Sequence, residues 1–97
     1  MPTITLHSNF NRGELLSLIG KFENAVKREQ DRSLARHLRR DFIEVNPSPH
    51  SRNTVKTIEQ LAKWCKTDGI YAEGMQVARQ ISRLLFGEVL DREALGV

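Results

Sequence analysis

Residues 12–45 read RGELLSLIGKFENAVKREQDRSLARHLRRDFIEV, and the apolar spacing inside this stretch decides the fold. Leu15, Leu18, Ile19, Phe22 and Val26 recur at three- and four-residue steps, the period of one helix face. Lys27 to Ser33 is polar throughout, and then Leu34, Leu38, Phe42 and Val45 form a second series. On one continuous helix the second stripe is rotated from the first by roughly 100–140°, at about 100° per residue. A straight helix cannot bury both stripes against one surface. The spacing therefore predicts a broken helix, with the break near Glu29–Ser33 and Asp31 or Ser33 capping the second piece. The alternative is one long helix with two different neighbours. Asn9 or Asn11 is placed to cap its start near Arg12.

Outward from this stretch, Pro2 to Ser8 alternates: Ile4 and Leu6 on one side, Thr3, Thr5 and His7 on the other. That is the period of a short strand, or of an extended arm. A lone strand cannot satisfy its own backbone, so pairing with a second copy of the chain is one outcome. On the other side, Asn46-Pro-Ser-Pro-His-Ser-Arg is a loop closed off by two prolines. Asn53 or Thr54 then opens a third helix with Val55, Ile58, Leu61, Ala62 and Cys65 on one side, ended by Asp68-Gly69. A fourth helix follows from about Tyr71 to Phe86, with Met75, Ala78, Ile81, Ser82 and Leu85 inward and Gly87 as its stop. The expectation is a mainly α protein: one small helical domain of about four helices, residues 1–97, with a short N-terminal strand or extended arm. Its parts are the arm 1–8, the broken basic helix 12–45, the loop 46–53, the helical hairpin 54–86 and a short acidic tail 88–97.

Composition removes whole classes of function. One cysteine in 97 residues forbids an intrachain disulfide, and His7, His37 and His50 are too scattered for a local metal motif. No glycine-rich phosphate loop is present. No apolar run approaches the 18 or so residues of a membrane span. The start has neither a basic n-region nor an apolar h-region, so no secretory signal is expected and a cytoplasmic location is. The serine hydroxyls have no base beside them, and Cys65 next to Trp64 reads as core. His37 and Asp41 sit one helical turn apart, the spacing of a surface ion pair. The reading is non-enzymatic, with no cofactor.

Charge is the positive clue. The chain carries a net +3, but residues 27–40 hold Lys27, Arg28, Arg32, Arg36, Arg39 and Arg40 against Glu29 and Asp31. One segment carries the positive field, which points to an anionic partner. Lys21, Arg28, Arg32, Arg36 and Arg39 cluster within about 80° of a continuous helical wheel, with Glu14 the only acid in that sector. A planar guanidinium suits phosphate. On the fourth helix Gln76, Arg79, Gln80 and Arg83 share an outer face, and arginine and glutamine are the side chains that read base edges in pairs of hydrogen bonds. The pair 54–67 and 71–86 is compatible with a helix-turn-helix, and equally with an ordinary antiparallel helical hairpin. Trp64, at the margin of its apolar face, is either a partner contact or a partly covered core residue.

Thr3-Ile-Thr-Leu, followed by an amphipathic helix, a polar turn and a second helix, resembles the ribbon-helix-helix repressors over residues 3–45. The first helix is longer than that family's, and the turn lacks its glycine. The resemblance implies a dimer formed by strand pairing, with Thr3, Thr5 and His7 facing the bases and Ile4 and Leu6 capping the core. It also implies a shared helical core from Leu15, Ile19, Phe22 and Val26, then Leu34, Leu38 and Phe42. The leading expectation is thus a regulatory protein that binds nucleic acid through its arginine face. The rival is a phage- or plasmid-type accessory protein whose same arginines meet an acidic surface of a host protein and inhibit or modulate it. A homodimer through residues 2–8 accompanies either.

Overall fold

A computed structural model describes residues 5–7, 9–48, 51–66 and 72–90. Four α-helices make up most of it: α1 (Arg12–Ala25), α2 (Glu29–Arg39), α3 (Arg52–Lys66) and α4 (Ala72–Phe86). A π turn, Arg40–Glu44, extends α2. The described residues contain no strand.

The two apolar stripes are buried as the spacing predicts, but the chain breaks earlier than expected. Asn11 Oδ1 accepts from the Glu14 amide at 2.9 Å and caps α1. The helix ends when Val26 turns extended, at φ −118° and ψ 137°, with its side chain fully buried. Arg28 is the N-cap of α2 and makes no side-chain capping bond there. Glu29–Ser33, the segment expected to break, is already helical. Asp31 instead accepts from Arg28 Nε at 3.0 Å, and the Ser33 hydroxyl donates to the Gln30 carbonyl. Val26 and Leu34 must both reach the core, so the change of phase has to come directly after Val26. Glu29 and Asp31 then sit at the positive end of α2, where acids are favoured.

The π turn explains a second departure. Its wider winding brings Asp41 and Phe42 inward together, and the chain leaves the helix at Val45, which is 53% exposed instead of continuing the inner stripe. On α3 the inner face is centred on Thr54, Thr57, Ile58, Leu61, Ala62 and Cys65, and Val55 lies outside it. On α4 Val77 and Phe86 are buried and Met75 only half so. Gly87 ends α4 with φ 77°, the left-handed conformation of a glycine stop.

The helices close a ring. Each packs on its sequence neighbours, and α1 closes against α4. Across the middle, Phe22 of α1 meets Trp64 of α3 edge to face, centroids 5.0 Å apart. Phe42 makes similar contacts with Phe10 and Phe86. The described part of the arm lies on its own chain. The His7 amide donates to the Leu85 carbonyl at 2.7 Å, and Leu6 and Phe10 pack against the core. Thr3 and Ile4, the Asp68-Gly69 helix stop and the tail from Asp91 onward fall outside the described residues.

Candidate functional site

The expected arginine row does not stand as one free face. Lys21 is exposed on α1, before the break, so its wheel position relative to the α2 arginines is lost. Arg28 pairs with Asp31 at 3.0 Å, and Arg36 with Glu29. Arg39 reaches back to Glu23 on α1. Arg32 lies half-buried with its Nε donating to the Val26 carbonyl at 3.3 Å, so it braces the break between α1 and α2. The wheel had placed only Glu14 near the row. Glu23, Glu29 and Asp31 reach it because arginine side chains are long and because α1 folds back beside α2.

Arg40, with 42% of its side chain exposed, pairs with a buried carboxylate. Its Nε and Nη2 donate to the two oxygens of Asp41 at 2.8 and 3.0 Å. The Thr57 hydroxyl donates to Asp41 Oδ2 and lies 3.0 Å from the Asn53 carbonyl. Burial alone would raise the Asp41 carboxyl. The bonds from Arg40 and Thr57, helped by the charges of Arg40 and His37, outweigh burial and hold it below the ordinary carboxylate value. The expected His37–Asp41 ion pair is not formed. His37 Nδ1 lies 3.0 Å from Gln60 Oε1, and Gln60 Nε2 donates to Ser33 Oγ at 2.7 Å, which ties α3 to α2.

The α4 set divides. Gln76, Gln80 and Arg83 are exposed. Arg79 is half-buried, and its Nε donates to the Cys65 carbonyl at 2.9 Å, closing the C-terminal end of α3. Its sequence position could not reveal this, because the acceptor lies on another helix. Trp64 is a core residue, 9% exposed and packed edge to face on Phe22. Thr5 and His7 are exposed, and Thr3 is outside the described residues.

Cys65 is buried and its thiol is pushed up to about 11 by that burial. The Ser82 hydroxyl donates to the Glu88 carbonyl at 2.6 Å and accepts from the Leu90 amide at 2.9 Å. Among the described residues, no three His, Cys, Asp or Glu side chains gather as a metal site needs. No described helix is long and apolar enough to cross a membrane. Leu6, His7, Asn9, Phe10 and Leu84 line a surface cleft of about 420 Å³.

One cationic row was missed by the sequence reading. Arg52, Lys56, Lys63 and Lys66 are all exposed on α3. Their spacing of four, seven and three residues is a legible signal of one helix face, although the arginines of 27–40 are denser in the sequence. No family model matches this chain, and neither a curated protein nor a solved structure matches it.

Proposed function

We propose that this protein is a small regulatory binding protein without a catalytic centre, and that it engages nucleic acid through its cationic surface. The observation that carries the reading is the surplus of charge in and around α2: residues 27–40 hold a net +4 in a chain of net +3. Arg28 and Arg36 keep more than half of their side-chain surface in solvent (59% and 53%), although both are paired. Exposed ion pairs contribute only about 0–1 kcal/mol, so a phosphate can take the place of either carboxylate. Gln80 and Arg83 on α4 and the resemblance of residues 3–45 to ribbon-helix-helix repressors support the same reading.

The rival reading has its own support. Arg28 with Asp31 and Arg36 with Glu29 make a surface of alternating sign. Such a surface suits a complementary protein better than a uniformly negative polymer. In that case the partner is a host protein whose acidic groups meet Arg28 and Arg36, as for a phage- or plasmid-type accessory protein.

A salt titration of fluorescence anisotropy on duplex and single-stranded probes separates the two. Nucleic-acid binding is expected to weaken linearly in log K against log salt. Absence of binding to either probe at about 50 mM salt and micromolar protein would overturn the nucleic-acid reading, since basic readers hold non-specific sites at roughly 10⁻⁴ to 10⁻⁶ M even in physiological salt.

A further inference from the structure

We propose that the outward face of α3 is the surface that grips the phosphodiester backbone of duplex nucleic acid. The inference rests on the nucleic-acid reading above and moves its main contact from the α2 arginines to a different helix. Arg52, Lys56, Lys63 and Lys66 fall within about 80° of one another at about 100° per residue. They lie opposite the buried Thr57, Ile58, Leu61 and Cys65. Glu59 is the one acid in that sector. The contrast with α2 is electrostatic. Arg28, Arg36, Arg39 and Arg40 each hold a carboxylate of this chain. Arg52, Lys56 and Lys66 have none within bridging distance among the described residues. The local α3 field is therefore less compensated than the α2 field, although the sequence count favours α2.

The residue types select the partner. Three of the four cations are lysines, compact point charges on flexible stems. They suit a line of phosphates whose positions vary, and they suit it without reading sequence. Lysine is depleted at the buried centres of protein–protein interfaces, which disfavours an acidic protein as the target. Stable anchoring on a membrane surface adds apolar insertion or a lipid chain to such cations. The exposed large apolar residue that α3 offers is Val55, at 38%. From Arg52 to Lys66 the row is about 21 Å long at 1.5 Å per residue. That is about six base pairs of duplex at 3.4 Å each. The helix that carries the row is tied to its neighbours: Gln60 bonds Ser33 and His37 on α2, and Arg79 bonds the end of α3.

The test compares three proteins on a labelled random duplex of about 24 base pairs, with phosphatidylserine vesicles and a poly-glutamate peptide as competing anions. They are the full chain, the variant with Arg52, Lys56, Lys63 and Lys66 all changed to Gln, and the variant with Arg28→Gln and Arg36→Gln. Four neutralised phosphates give a salt slope of about −3.6 in log K against log salt. The α3 variant is expected to lose most of that slope and at least about tenfold in affinity at about 100 mM salt, while the α2 variant keeps most of both. Glutamine retains helix propensity, and circular dichroism checks it. Should the fourfold variant lose helicity, Lys56→Glu alone carries the test at an exposed position, with an expected loss of about one to two in slope. An α3 variant that binds like the parent overturns this inference. If the α2 variant then loses binding, the nucleic-acid reading stands without it. A parent chain that ignores duplex overturns both, and preference for the vesicles or the acidic peptide over duplex overturns the assignment of partner.

Discussion

The Arg39 guanidinium on α2 is bonded to the Glu23 carboxylate on α1, so a cation that its own helix assigns to an outer row instead clasps two helices together. Both side chains stay about one-third exposed, at 34% and 31%. Water still screens the pair, which limits its contribution to about 1 kcal/mol or less. Arg39→Gln and Glu23→Gln should each lower the urea midpoint slightly, and a double-mutant cycle should return a coupling below about 1 kcal/mol. A coupling indistinguishable from zero would mean that Arg39 and Glu23 do not hold each other in solution.

The Asp41 network predicts an acid-sensitive fold. The folded-state carboxyl lies below its unfolded value, so its contribution to stability is present above about pH 4 and is lost as pH falls through the lower folded value. Urea midpoints measured between pH 7 and pH 2 should drop in the parent chain within that acid window. Asp41→Asn should be less stable at pH 7, by about 1–3 kcal/mol for a broken buried polar group, and should lose part of the acid limb. Parallel pH profiles for the two proteins would remove Asp41 as a cause.

Ser82 holds the chain after α4 through two bonds, to the Glu88 carbonyl and from the Leu90 amide, beside a fully buried Leu90 side chain. Ser82→Ala leaves both backbone groups short of a partner. The expected cost is about 1–3 kcal/mol, with faster hydrogen exchange at the Leu90 amide. Unchanged exchange at Leu90 would show that water replaces the hydroxyl.

Gly87 answers two demands at once. Its φ of 77° disfavours any side chain, and a Cβ there would lie 2.5 Å from His7 Cε1. Gly87→Ala should destabilise by about 1–2 kcal/mol from the backbone alone, with a further loss from the collision. His7→Ala in the same chain should recover the collision part only. If the second change recovers nothing, the arm moves aside without cost.

Cys65 should behave as an inert core side chain. With its thiol raised to about 11, iodoacetamide labelling at pH 8 should be slow and should follow global unfolding in a urea series. Rapid labelling of the folded chain would place the thiol at the surface.

The sequence alone determined that four helices form and which face of each is buried. Leu15 to Val26 and Leu34 to Phe42 carry that information in their spacing, because helical periodicity is local and burial of an apolar stripe dominates the energy. It also placed the Gly87 stop and narrowed the first cap to Asn9 or Asn11, since both causes act within one turn; the structure selects Asn11. The tertiary structure decided where charge is available. Glu23 neutralises Arg39 across two helices, Arg79 turns inward to the Cys65 carbonyl, and Trp64 is closed over by Phe22. It also set the break at 26–28 and turned Val45 outward through the π turn. A wheel drawn on one continuous helix carries neither the neighbours nor the phase changes. The α2 arginines therefore looked freer in the sequence than in the fold, and the α3 row looked less conspicuous than it is. Ion pairing depends on distance through space, and residues far apart in the chain supply its partners.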